Sequence, residues 1–314
     1  KPRSLQYEVR DGIKLPSYRG DGVNAIDFTK EGRTPDPQRL LTAYHQSSSA
    51  MNLIRSLIMQ GYTNINNMKS WEKIFLNNEL LEKKYNTIFQ QIRETLQFVE
   101  LSDILQSSGK NIYISHESIL LDYDNAFINE TQNKQHFCCS GHMLWIGDRT
   151  RKLESAHIKF ASLIENPIGI KIGPNFNIDD LNILCEKINP KNEVGKLTLI
   201  VRLGEKKIES MLPQLIKKIK HYGHNVIWFC DPMHGNTIRA KNGYKTREFE
   251  TIIKEIKLFF AIHKHFNTIP GGIHLELTGD RVTECLGGIN NIQTKDLDLR
   301  YETTCDLRLN NEQS

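Results

Sequence analysis

The stretch LTLIVRLGEKKIESMLPQLIKKIKHYGHNVIWFCDP (197–232) decides the fold. It opens with a nearly continuous apolar run, LTLIVRLG (197–204), and closes with a second, NVIWFCDP (225–232). Between them, apolar residues recur at helical spacing: Ile208, Leu212, Leu215, Ile216 and Ile219. Gly223 is placed to end that helix. This order predicts two parallel strands joined by a crossover helix, in a sheet covered on both faces.

The same unit recurs along the chain. Four further apolar runs are predicted to be buried strands: IYISHES (112–118), MLWIGDR (143–149), IGIKIGP (168–174) and GIHLELTG (272–279). Before the last of them, a second apolar stripe predicts a helix: Phe249, Ile252, Ile253, Ile256, Phe259 and Phe260. Repeated βα units leave two architectures open, a doubly wound sheet and a (β/α)8 barrel.

A longer helical region precedes the first clear strand. Asp36 as N-cap and Pro37 at the first helical position start one helix. Its predicted apolar face comprises Leu40, Leu41, Tyr44, Leu53, Ile54, Leu57 and Ile58. A second helix is predicted from about Trp71 to Phe98. Because no tandem repeat or low-complexity linker interrupts the chain, we expect one domain over 1–314 with a helical insertion at about 36–108.

Composition excludes several function classes. Hydrophobic residues make up 39% and charged residues 25% of the 314 positions, which is ordinary for a globular protein. A net charge of +4 without a block of like charges argues against nucleic-acid or membrane-surface partners. Six cysteines without CxxC spacing favour a reducing, cytoplasmic location. No apolar run is long enough to cross a bilayer.

Ionisable residues collect where the predicted strands end. They are Ser115-His116-Glu117, Asp148-Arg149, Lys171, Arg202, Asp231 with His234, and Glu276. Each alone has an ordinary structural explanation, such as a surface ion pair. Six strand ends with such groups indicate a catalytic rim, because enzymes of the barrel class place their active sites at the carboxyl ends of the strands.

The ionisable residues fall into two groups, one suited to binding an anion and one suited to binding a metal ion. Arg149, Lys171 and Arg202 would form a cationic pocket for an anionic small substrate. His234 and Glu276, with Asp306 further along the chain, suit a divalent transition ion. Their spacing alone leaves metal binding open.

The most specific motif is CDPMHGNT (230–237). Nine more accompany it: KPRS (1–4), PSYRGD (16–21), SHES (115–118), WIGDRTR (145–151), NPIGIKIGPN (166–175), LTLIVRLG (197–204), GGIHLELTG (271–279), VTECLGG (282–288) and RYETTCDLRLN (300–310). In this order, across the whole chain, they resemble the class II 3-deoxy-D-arabino-heptulosonate 7-phosphate (DAHP) synthases.

The resemblance implies a (β/α)8 barrel enzyme that condenses phosphoenolpyruvate with erythrose 4-phosphate and water. The products would be DAHP and phosphate, in the first step of the shikimate pathway. Implied metal ligands are His234, Glu276 and Asp306, for one divalent ion: Mn²⁺ or Co²⁺ first, with Zn²⁺ and Fe²⁺ as alternatives. Implied phosphoenolpyruvate contacts are Asp148, Arg149, Lys171 and Arg202. Implied erythrose 4-phosphate contacts are Lys1, Pro2, Arg3, Ser4 and Arg149.

Lys171 and His234 are the catalytic residues that follow from the resemblance. Lys171 is the candidate proton donor, and a water on the metal is the competing choice. A homo-oligomer and a chorismate mutase partner are also expected, whereas nucleic-acid and membrane partners are not.

The chain also departs from the family pattern. A fourth metal ligand, a cysteine in a GGDCAE-type motif, and a further arginine lie upstream of KPRS in the family, and its last helix lies beyond Ser314. The expectation is therefore a barrel without its first strand and last helix. Asp148 stands where the family usually has Glu, and Leu307 where it usually has Pro, so reduced activity is expected.

Two alternatives to the primary enzyme remain. One is a catalytically inactive remnant, or a regulatory or assembly partner of a DAHP synthase. The other is an enzyme of a secondary pathway, such as phenazine or amino-shikimate metabolism. The missing cysteine and arginine favour the inactive alternative, whereas the intact ligand triad and cationic rim favour the enzyme.

Overall fold

The computed structural model describes residues 5–60 and 112–313, together with Gln90, Gln91 and Glu94. The chain divides into two compact units. The first comprises residues 1–20, 24–34 and 114–314, and the second comprises residues 21–23 and 35–113. The predicted single domain with one helical insertion stays a prediction.

A six-stranded parallel sheet forms the centre of the first unit. Its strands are β3 (Ser115–Glu117), β6 (Met143–Ile146), β7 (Ile168–Ile172), β8 (Leu197–Val201), β9 (Ile227–Cys230) and β12 (Pro270–Ile273). They neighbour one another in chain order, β3-β6-β7-β8-β9-β12. The six predicted strands are thus confirmed, and they form one parallel sheet in a mixed α/β fold. Their order in the sheet does not reverse, as it does in a doubly wound sheet.

Helices connect these strands. They are α3 (Leu121–Asn125), α4 (Ala156–Ala161), α5 (Leu181–Ile188), α6 (Ile208–Tyr222) and α7 (Phe249–His265). The prediction for α6 is confirmed, because Gly223 ends it with φ +71°. Every residue of β7 and β8 is buried, as expected of strands covered on both faces.

Smaller elements lie outside the central sheet. Three antiparallel pairs are β1 (Tyr7–Arg10) with β2 (Ile13–Pro16), β4 (Ile128–Glu130) with β5 (His136–Cys138), and β10 (Ile238–Arg239) with β11 (Lys245–Thr246). Two more helices are α1 (Lys30–Arg33) and α2 (Gln38–Met59), and 3-10 turns occupy Ile178–Asp180 and Thr294–Asp296.

Some boundaries differ from the sequence-based expectations. In α2, Pro37 takes the N-cap position, one residue later than predicted, and Asp36 accepts a hydrogen bond from the Gln38 amide at 2.9 Å. Leu41 and Leu53, on its predicted apolar face, are exposed. The predicted helix from Trp71 to Phe98 lies outside the described residues, apart from the three isolated positions.

Candidate active site

Side chains from every central strand end, or from the loop after it, meet at one edge of the sheet. They surround a cavity of about 210 Å³. Its lining comprises Glu117, Trp145, Gly147, Asp148, Arg149, Lys171, Arg202, Asp231, His234, His274, Glu276 and Asp306. All seven predicted site residues numbered above 100 are among them. The predicted erythrose 4-phosphate residues Lys1, Pro2, Arg3 and Ser4 lie outside the described residues.

A buried carboxylate links the two predicted catalytic residues. The Lys171 ammonium donates to Asp231 Oδ2 at 2.5 Å, and the His234 Nδ1 donor lies 2.8 Å from the same oxygen. Burial alone would raise the pKa of Asp231, but the His234 hydrogen bond and the Lys171 charge hold it well below its usual range. Asp231 therefore stays ionised and fixes both partners.

Three side chains are arranged as a metal site would require. Because Asp231 occupies His234 Nδ1, the Nε2 lone pair is available to a metal. His234 Nε2 lies 3.7 Å from Glu276 Oε1 and 3.8 Å from Asp306 Oδ1. One imidazole and two carboxylates within 4.8 Å of one another fit a divalent transition ion. Burial raises the pKa of Glu276, and the His234 charge counteracts this shift.

The cationic side of the cavity is organised by Asp148. Its Oδ1 accepts from the Gly173 amide at 3.0 Å and from Arg151 Nε at 2.9 Å, while its Oδ2 lies 3.6 Å from Arg202 Nη1. Arg202 Nη2 donates to the His234 carbonyl at 2.8 Å. Asp148 thus orients arginines beside the cavity. The exposed Arg149 lies at the same edge and has no hydrogen-bond partner among the described residues.

A substitution at Gly173 tests this role of Asp148. A Cβ at Gly173 would lie 2.5 Å from Asp148 Oδ2, so Gly173→Ala should displace the carboxylate and the arginines it orients. The motif resemblance implies phosphoenolpyruvate as the substrate beside these arginines, and we expect its KM to rise about 10- to 100-fold, measured by steady-state kinetics. Gly279→Ala is the control, because nothing lies within 4 Å of its Cβ position. An unchanged KM in Gly173→Ala would contradict this organisation.

Five lining residues are not among the predicted catalytic, substrate-binding or metal-binding residues: Glu117, Trp145, Gly147, Asp231 and His274. Burial raises the pKa of Glu117 and lowers that of His274 to about 4. Trp145 packs edge-on against His274, with ring centroids 5.2 Å apart. A usable signal existed for His274, because it precedes Glu276 by two residues in GIHLELTG.

Two cysteines lie close in sequence to the proposed metal ligands His234 and Asp306, and they take different positions. Cys230 is fully buried in the hydrophobic core, and burial raises its pKa, as expected of a packing residue. Cys305 Sγ lies 3.0 Å from Asp306 Oδ2. Leu307 is buried with Met233 in a small apolar cluster.

A second buried carboxylate holds two of the site loops together. Glu255 on α7 accepts from the Gly204 amide at 2.9 Å and from Asn236 Nδ2 at 2.7 Å. These residues follow Arg202 and His234 by two positions each. Burial raises the pKa of Glu255 from 4.5 to about 7.

Glu255 should make stability depend on pH. Because its pKa is higher in the folded chain, its contribution is complete below pH 4.5 and is lost as pH rises through about 7. The loss amounts to about 3 kcal/mol. Glu255→Gln cannot ionise, so its Tm relative to the parent should increase from pH 4.5 to 7.5. The exposed Glu250→Gln, on the same helix, should show no such trend; parallel curves for Glu255→Gln and the parent would refute the assignment.

Comparison with known proteins matches the sequence of this chain to a family. The model of the class-II DAHP synthetase family matches residues 1–314. The chain belongs to this family. It is 46% identical over 317 residues to the phospho-2-dehydro-3-deoxyheptonate aldolase of Streptomyces coelicolor, covering all of this chain and 70% of that protein. It is 42% identical over 322 residues to the aldolase AroG of Mycolicibacterium smegmatis, covering all of this chain and 69% of that protein.

Membership of the class-II DAHP synthetase family agrees with the resemblance found in the motifs. Divalent metal ions are a general requirement of DAHP synthases, and the His234, Glu276 and Asp306 cluster is suited to one. None of the described helices has the length and apolar composition of a membrane-spanning segment.

Proposed function

We infer that this chain catalyses the condensation of phosphoenolpyruvate with erythrose 4-phosphate and water to give DAHP and phosphate. The reaction is the first step of the shikimate pathway to chorismate and the aromatic amino acids. The observation that carries the inference is a cationic pocket beside a His-Glu-Asp cluster, in one cavity of a class-II DAHP synthetase family member.

Phosphoenolpyruvate is proposed to bind to Arg149, Lys171 and Arg202. The substrate carries a carboxylate and a phosphate, and guanidinium groups bind both in bidentate geometry. Arg202 has a buried Nε with no hydrogen-bond partner in the described part of the chain. Asp148 would act here by orienting Arg202.

Lys171 is proposed to supply a proton. In the reaction, C3 of the enol phosphate forms a bond to the aldehyde carbon, whose oxygen takes up a proton. Water then adds at C2 and gives up a proton, and phosphate leaves by cleavage of its bond to C2, so that C2 becomes a carbonyl. The Lys171 ammonium is held by Asp231 at the cavity, so it can orient phosphoenolpyruvate and donate to the oxygen that becomes a hydroxyl.

His234, Glu276 and Asp306 are proposed to hold one divalent ion. When bound, this ion would polarise the aldehyde carbonyl of erythrose 4-phosphate. Asp231 serves the site by keeping His234 in the tautomer that leaves Nε2 free. Mn²⁺ or Co²⁺ is the first choice, and Zn²⁺ or Fe²⁺ suits the same donors. The second substrate's phosphate is proposed to bind Lys1, Pro2, Arg3 and Ser4 together with Arg149, on the strength of the KPRS motif.

The experiment is a phosphate-release assay. Release from phosphoenolpyruvate should require erythrose 4-phosphate and Mn²⁺ or Co²⁺ together, and EDTA should stop it. Mass spectrometry should identify DAHP as the product. Release without the aldehyde, or turnover that resists EDTA after exhaustive dialysis, would defeat the proposal. Complete absence of turnover under all metal conditions would favour the inactive-partner alternative.

Closure of the sheet into a (β/α)8 barrel is proposed as well. The parallel strands follow chain order, as barrel strands do, and the ionisable residues lie at their carboxyl ends. The helical insertion at about 36–108 is proposed to belong to the same catalytic domain.

A cytoplasmic homo-oligomer is proposed, with chorismate mutase as a further partner. All six cysteines are free thiols, which suits a reducing compartment. The oligomer and the mutase follow from the family resemblance. Light scattering of the purified chain, with and without a chorismate mutase, tests both: a monomeric mass under both conditions would reject them.

A further inference from the structure

Asp306 is carried by an irregular loop, which we define as the Asp306 loop, residues 302–308. Neither a helix nor a strand spans it. Glu276, by contrast, lies three residues beyond the end of β12. A metal ligand on an irregular loop keeps its position only if other contacts fix the backbone.

Glu284 provides such contacts from outside the loop. Its side chain is fully buried. Oε1 accepts from the Thr303 amide at 2.9 Å, the Glu302 amide at 3.3 Å and Arg308 Nη2 at 2.6 Å. Oε2 accepts from the Arg308 amide at 2.8 Å and Arg308 Nε at 3.1 Å. One carboxylate therefore joins the beginning and the end of the Asp306 loop.

Contacts within the loop extend this restraint to Asp306. Thr303 Oγ1 donates to the Asp306 carbonyl at 2.7 Å and accepts from the Cys305 amide at 3.1 Å. Thr303 is itself held by Glu284 through its backbone amide. The connection from Glu284 to the metal ligand thus passes through a single residue.

Buried Arg247 joins the Asp306 loop to the loop that carries His234. It donates to the Leu307 carbonyl through Nη1 and to Thr237 Oγ1 through Nε at 3.2 Å. The neighbouring Thr246 hydroxyl donates to the Glu284 carbonyl at 2.9 Å. Glu284 and the His234 loop are therefore anchored to the same short segment.

We propose that Glu284 is a positioning residue for the metal site: it holds the Asp306 loop so that Asp306 faces His234 and Glu276. The proposal rests on the metal site given under the proposed function. Packing of the Asp306 loop alone would not require a buried charge at this position. The Glu284 carboxylate accepts five hydrogen bonds, and their donors lie on both sides of Asp306 in the sequence.

Glu284→Gln tests the proposal by titration of the metal-free chain with Mn²⁺. Glutamine keeps the size of the side chain, but its NH₂ group must face donors of the Asp306 loop and leave them unpaired. We expect the Kd for Mn²⁺ to rise about 10- to 100-fold. The measurement is calorimetry, or electron paramagnetic resonance of free Mn²⁺, without substrates. Circular dichroism reports whether the variant is folded.

The matched control is Asp124→Asn, a second buried carboxylate that accepts hydrogen bonds from Ser118 and Ser140. It should lower the Tm but leave the Kd for Mn²⁺ within twofold. If Glu284→Gln does not fold, Glu284→Asp keeps the charge on a shorter side chain. It should also raise the Kd, because it cannot reach both ends of the loop.

Asp306→Asn separates the two proposals. If it weakens Mn²⁺ binding while the Glu284 variants bind as the parent does, Asp306 is a ligand and the positioning role is rejected. If Asp306→Asn also binds as the parent does, the proposed metal site is wrong, and the role of Glu284 is wrong with it. Weaker binding in Asp306→Asn and in the Glu284 variants, with the Asp124 control unaffected, supports the proposal.

Discussion

Replacing His234 with alanine is expected to abolish DAHP formation and leave the fold intact. The change removes the imidazole that Asp231 orients toward Glu276 and Asp306, so a divalent ion would lose one of the three ligands proposed in the described part of the chain. We expect kcat/KM to fall at least 1000-fold, in the range of removing a major catalytic group. The measurements are the phosphate-release assay, Mn²⁺ titration and circular dichroism.

His224→Ala is the control for this variant. His224 is also partly buried and donates one side-chain hydrogen bond, from Nε2 to Asn182 Oδ1 at 2.7 Å, but it does not line the cavity. Its activity and Mn²⁺ affinity should match those of the parent. Appreciable metal-dependent turnover by His234→Ala would remove His234 from the ligand set.

Lys171→Met should have the second largest effect. Methionine keeps most of the side-chain volume but loses the ammonium that contacts Asp231 and, by our proposal, orients and protonates the substrates. We expect kcat/KM for phosphoenolpyruvate to fall about 100- to 10,000-fold. Because Asp231 is fully buried, loss of its partner should also lower the free energy of unfolding, by about 3–5 kcal/mol.

Lys196→Met separates the two effects of that change. The Lys196 ammonium donates to the Ile164 and Asn166 carbonyls, at 2.5 and 2.9 Å, and lies outside the cavity lining. This variant should lose stability, measured by urea unfolding, and keep its kinetic constants within twofold. If Lys171→Met loses stability but keeps its kcat/KM, Lys171 is only a structural residue.

Much of the sheet could be predicted because its strands are buried on both faces. A strand such as β8 is apolar at nearly every position, so its sequence identifies it without help from its neighbours. The last strand of the sheet, β12, was harder to predict. GIHLELTG continues to alternate past Ile273, yet β12 ends there and Leu277 pairs with Leu309 only through an isolated bridge.

The site was only partly predictable from the sequence. Parallel strands place their carboxyl ends at one edge, so residues at strand ends such as Lys171 and Arg202 could be expected to meet. Asp231 was noted at a strand end, but its bonds to both Lys171 and His234 depend on distances between separate strands and loops. Glu284 belongs to the VTECLGG motif (282–288), but the motif does not show which donors its carboxylate binds.

The sequence by itself determined the six parallel strands, the family and the residue types that converge at the cavity. These depend on hydrophobic periodicity and on ordered motifs, which are properties of short stretches of chain. Only the tertiary structure decided which carboxylates orient the site: Asp148 for the arginines, Asp231 for Lys171 and His234, and Glu284 for the Asp306 loop. The physical reason is that a buried carboxylate must find its donors wherever the fold supplies them, and those donors are distant in the chain.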